Sequence, residues 1–149
     1  MRVLVCCLML MTTLVVAEPA SQSLMPQVSA PQKLQALVEL HTADELQQLL
    51  SRAEQIAGGE GQYRTEEPVA IVLHGKEIQL FKRSQYSTHK SLVDLAARLD
   101  AFNVVDLKVC QRWMGDHGVV AEELPAFLEP VPFGGAEVQR LQEAGYAFF

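Results

Sequence analysis

Two rhythms of apolar residues alternate along this chain, and their order predicts its architecture. Leu34, Ala36, Val38 and Leu40 recur every second residue, which predicts a first strand, although Gln35, Leu37 and Glu39 between them suit a helix equally. Thr42-Ala43-Asp44-Glu45 has the capping-box pattern, in which a hydroxyl and a carboxylate each satisfy a backbone N–H left unpaired at a helix start. The predicted helix carries Leu46, Leu49, Leu50, Ala53 and Ala57 on one face, Gln47, Gln48, Arg52 and Glu54 on the other, and stops at Gly58-Gly59-Glu60-Gly61. Pro68 to Gly75 is a continuous apolar run, as in a strand buried on both faces of a parallel sheet. Glu77 to Phe81 alternates briefly and is expected to extend or edge that sheet, and Ser84 to Thr88 supplies cap residues for a helix with the stripe Leu92, Leu95, Ala96, Leu99.

The second half repeats the alternation. Val104 to Val109 is a β-branched run of strand length, and from Cys110 the pattern changes to one or two helical turns closed by Gly118. Pro125 to Pro132 is a short apolar segment hemmed by prolines, which suits an edge strand. Gly134-Gly135 opens a last helix through Val138 and Leu141 to Gly145, and Tyr146 to Phe149 end in aromatics expected to pack on the sheet or on a neighbouring subunit. Strand and helix in turn predict an α/β fold, a three-layer α/β/α sandwich around a mainly parallel sheet of four or five strands, because parallel neighbours need right-handed crossovers. At 149 residues the chain fits one such domain, here residues 33–149.

The start of the chain has another character. Met1-Arg2, the apolar run Val3 to Val16 and Ala17 before Glu18-Pro19 predict a secretory signal peptide, residues 1–17, cut after Ala17. The run is short of the ~20 residues of a membrane span, which leaves an uncleaved anchor as the lesser alternative. Residues 18–32, rich in Ser, Pro, Gln and Ala, read as a flexible leader. The expected location is periplasmic or secreted, with no membrane attachment once the signal is removed. Cleavage takes Arg2 and no acidic residue, moving the net charge from −6 to −7, and this acidity argues against a nucleic-acid partner.

Cleavage also removes Cys6 and Cys7, leaving Cys110 without an internal disulfide partner. In an oxidising compartment a single cysteine is buried and inert, paired between chains, or reactive. Cys110 stands where a predicted strand meets a helix start, at the sheet edge where α/β proteins hold ligands and where unpaired N–H groups favour a thiolate. His41 and His74 end the first two predicted strands at that same edge. They are candidates to assist the thiol as proton donor and acceptor, or else polar residues bonded to backbone carbonyls. A His-His-Cys metal site is a further alternative, without close ligand spacing to support it. Trp113 and Met114 are expected to pack the short helix on the core, and His117 to close it. The sequence calls for no cofactor.

With these residues in view, the chain resembles the DsrE/DsrF family, small α/β proteins that include the YchN-like and Tus sulfur-relay proteins. The likeness rests on Val69 to Gly75, on Val109-Cys110 followed by Gly118-Val119, on Glu129-Pro130-Val131-Pro132, and on the ending Arg140 to Ala147. It implies a domain that assembles into homo-oligomers, often trimers or hexamers, and in relay members a cysteine after a central strand that carries persulfide sulfur between donor and acceptor proteins. Cys110 matches that cysteine, and His74 matches a His-Gly at a strand end. The export signal departs from the cytosolic relay proteins. The expectation is thus an exported DsrE/DsrF-like protein carrying sulfur on Cys110. The alternatives are a non-enzymatic oligomeric binding module with a structural Cys110, or a metal-binding variant.

Overall fold

The computed structural model describes residues 33–38, 42–58, 63 and 66–149, so the predicted signal peptide, the leader and His41 lie outside the described residues. Strand β1 (Leu34–Val38) leads to helix α1 (Ala43–Ile56), β2 (Val69–Leu73), α2 (Lys90–Ala101), β3 (Val105–Cys110), the short α3 (Gln111–Asp116), β4 (Glu129–Val131), α4 (Gly134–Glu143) and β5 (Ala147–Phe148). The five strands form one parallel sheet in the order β4-β3-β2-β1-β5. Five buried residues in a row make β2 the centre of this sheet, as its unbroken apolar run predicts. The proline-hemmed β4 lies at an edge, where Pro130 has no N–H to leave unpaired.

Alternation along the strands divides the side chains between two layers. Val38, Ile71, Leu73, Leu107 and Val109 point into the larger core, closed by Leu46, Leu50 and Ala53 of α1 and by Leu92, Ala96 and Leu99 of α2. Ala70 and Val72 point the other way and meet Val138 and Leu141 of α4. The capping box of α1 is formed, with Thr42 N–H donating to Glu45 at 2.8 Å and Glu45 N–H to the Thr42 hydroxyl at 3.3 Å.

Three local expectations need correction. Glu77 to Phe81 is no strand: residues Lys76–Phe81 form a 3₁₀ helix that buries Glu77, Ile78 and Phe81. The Glu77 carboxylate accepts the N–H groups of His74 and Gly75 at 2.7 and 2.6 Å and so turns the chain immediately after β2. Ser84 to Thr88 do not cap α2, whose N-cap is His89 with no side-chain capping bond; they lie in the 3₁₀ turn Arg83–Gln85 and the turns after it. The terminal aromatics do more than pack, because Ala147–Phe148 pair with Leu34 and Gln35 as a fifth strand.

Candidate functional site

Cys110 is the last residue of β3 and the N-cap of α3. The sequence turns there because the apolar alternation ends and Gln111 to Asp116 can close a helical turn, with Cys110 Sγ accepting the Trp113 N–H at 3.5 Å. The thiol is buried, with 1% of the residue exposed. Since Val105, Leu107 and Val109 enter the larger core, alternation puts Asp106, Lys108 and Cys110 on the opposite face, the one that α4 covers.

His74 arrives at the same edge and face. Leu73 pairs with Val109 in the β2–β3 register, so His74 and Cys110 stand one step further along on neighbouring strands. The His74 N–H donates to Val38 O at 2.9 Å and to Glu77, which fixes the backbone. Its ring lies under the first turn of α4: a Cβ on Gly134 would fall far inside contact distance of the imidazole, and the Phe133 ring meets it edge-on at 5.5 Å. Arg112 closes the other side, with its guanidinium 5.6 Å from the Phe133 centroid and its N–H on Pro132 O at 3.3 Å. Val131, paired with Cys110, completes the group.

Of the residues singled out in the sequence, Cys110 and His74 therefore come together, whereas His41 lies outside the described residues. Trp113 and Met114 pack on the larger core, and His117 caps α3 with its ring stacked on Trp113 at 3.9 Å. Sequence reasoning missed Glu77, Phe133 and Gly134. The Gly134-Gly135 pair after Pro-Val-Pro was the visible signal for a close approach, and nothing local marked Glu77 as buried. It missed Lys108 as well. Lys108 is buried, with 5% of the residue exposed, and its ammonium lies 3.0 Å from Asp106, 2.6 Å from Glu129 and 3.9 Å from Glu137 of α4. Burial pulls its pKa down, but the hydrogen bonds to Glu129 and Asp106 and their charges together outweigh that and hold it above the usual 10.5. Glu137 is held low, chiefly by its hydrogen bond to Arg140.

Among the described residues no cluster of three or more His, Cys, Asp or Glu is placed to hold a metal ion, and no helix is long and apolar enough to cross a membrane. What the geometry offers is an enclosed thiol and an imidazole carried at adjacent backbone positions at the carboxyl ends of two central strands.

A family model decides the relationship: the DsrE/DsrF-like family matches residues 40–149. The chain belongs to the DsrE/DsrF-like family. Among solved structures, this DsrE/DsrF-like fold is similar to the protein of unknown function MTH1491 from Methanobacterium thermoautotrophicum, with a TM-score of 0.62 and 15% identity over 79% of this chain and 97% of that one. Curated proteins give no match in sequence.

Proposed function

We propose that this DsrE/DsrF-like protein carries sulfane sulfur as a persulfide on Cys110, working outside the cytoplasm after cleavage behind Ala17. The observation that supports this most is that Cys110 and His74 each stand one residue beyond the paired Val109 and Leu73, at one edge of the sheet, where α/β proteins hold their ligands. The Cys110 thiolate attacks the terminal sulfur of a polysulfide or donor persulfide, the donor S–S bond breaks, and the shortened donor leaves as an anion. The thiol proton passes to His74 or to water. An acceptor thiolate then takes the outer sulfur and the Cys110 thiolate leaves, with no external oxidant or reductant. Enclosure of the thiol limits its loss to sulfinate in an oxidising compartment.

The test is intact mass after exposure to inorganic polysulfide. The expected result is a gain of one sulfur, reversed by dithiothreitol and absent in Cys110→Ser. No Cys110-dependent gain overturns the reading.

A second reading has one observation in its favour. With 1% exposure, Cys110 also suits a structural residue of an oligomeric binding module. In that case the native thiol reacts with iodoacetamide no faster than global unfolding allows. Both readings include assembly into a homo-oligomer, which sedimentation equilibrium measures directly.

A further inference from the structure

We infer that Phe133 and the first turn of α4 form a gate over Cys110, opening locally while the sheet stays paired; this rests on the sulfur-carrier reading and says how that thiol is reached. The walls of the site differ in strength. Cys110 is flanked by β2 and by Val131 of β4, and beneath it Val109 enters the larger core. To reach the thiol from those sides, ladder hydrogen bonds or the core must break. The first turn of α3, whose Trp113 N–H donates to the thiol at 3.5 Å, closes the strand end, and the α4 face remains.

There the cover is slight. β4 and α4 are joined through Pro132 and Phe133 alone, and Phe133 is the N-cap of α4 without a side-chain capping bond. Phe133 is 41% exposed, and its ring is held edge-on by His74 and beneath the Arg112 guanidinium. Pro132 O accepts the Arg112 N–H at 3.3 Å, a long bond. Gly134 and Gly135 follow, the residue type that after proline least favours the helical state, whereas the anchors Val138 and Leu141 lie in later turns. The first turn can therefore swing out on its glycines while α4 stays seated. Glu77 keeps the His74 backbone in place as it does so.

The experiment is native-state labelling of Cys110 with iodoacetamide across low urea concentrations, in the wild type, Phe133→Ala and Arg112→Ala, with urea unfolding of each variant. A gate gives a wild-type labelling rate almost independent of low urea, because little surface opens. Loss of the ring contacts then raises the rate roughly tenfold in Phe133→Ala, and loss of the guanidinium raises it about threefold in Arg112→Ala. A rate that climbs with the full equilibrium urea dependence, and shifts in the variants only as far as their unfolding midpoints do, overturns the gate. Polysulfide exposure of the same proteins separates the two ideas. A gated thiol that gains no sulfur removes the carrier and leaves the gate. Sulfur gain at equal rates in wild type and Phe133→Ala removes the gate and leaves the carrier.

Discussion

The two faces of the sheet are made of different material. Beneath α1 and α2 the strands present Val38, Ile71, Leu73, Leu107 and Val109, a layer of hydrocarbon without a polar side chain among them. Beneath α4 the apolar contribution shrinks to Ala70 and Val72 against Val138 and Leu141. Around that small cluster stand Gln35, His74, Lys108 and Cys110. In β3 the division is a matter of parity, with Val105, Leu107 and Val109 on one side and Asp106, Lys108 and Cys110 on the other. A slip of one residue would exchange the two layers. Hydrocarbon is thereby concentrated on one face, and polar side chains on the other, where each needs a partner to be tolerated.

Leu107→Ala is the strongest test of that division. Leu107 is fully buried in the central part of the larger core, and its truncation is expected to cost about 3 kcal/mol in urea unfolding. Labelling of Cys110 at low urea should stay near the wild-type rate, because the α4 face is untouched. A loss below about 1 kcal/mol would mean that the hydrocarbon layer is not what holds the fold.

Lys108→Met asks whether the polar face depends on its charges. Asp106 and Glu129 can turn to water and Glu137 keeps Arg140, so the expected cost at neutral pH is about 2 kcal/mol, below that of a fully stranded buried charge. The pH dependence is specific. The folded pKa of Lys108 lies above 10.5, so its contribution is complete below pH 10.5 and is lost as pH rises through the folded value. Tyr146, whose pKa burial also raises, titrates in both proteins, so the difference between their urea midpoints isolates Lys108. That difference should narrow above pH 10.5, and a constant difference would contradict the role given to the ammonium.

These two residues also show what the sequence makes legible. Leu107 declares itself, because a β-branched run with period two implies a core face whatever lies opposite. Pro68 to Gly75 and the Thr42 capping box are equally local, and the fold class follows from such signals in order. Lys108 in the same strand carries no local mark of burial, which depends on carboxylates brought by β4 and α4. Cys110 was legible as a strand-to-helix junction, with burial left open beside reactivity, because its neighbour Val131 comes from a segment distant in sequence. The 3₁₀ segment escaped because Ile78, Leu80 and Phe81 fit either period, and the grip of Glu77 on two preceding N–H groups decides between them.

Gly134→Ala probes the seam between the face and its cover. The new methyl group would overlap the His74 ring, with Cγ at 3.2 Å and Cβ at 3.3 Å as the next neighbours. Either the imidazole or the first turn of α4 must move, at an expected cost of about 1.5 kcal/mol. The His74 ring signals in an NMR spectrum should shift and Cys110 labelling should quicken, while the Trp113 signals hold. Unchanged His74 signals would show that the seam is looser than the close approach implies.

Gln35→Met should have the smallest effect and is the most discriminating. Gln35 is fully buried on the α4 face, where its Nε2 donates to Tyr146 O at 3.2 Å and its Oε1 meets no partner among the described residues. Methionine of similar length gives up the one hydrogen bond and also removes a desolvated oxygen, two terms of opposite sign and like size, so the net change is expected to lie within about 1 kcal/mol of zero. A loss of about 2 kcal/mol or more would instead mean that Oε1 is bonded in solution and that this face is polar but complete, with its groups satisfied as thoroughly as the opposite layer is packed.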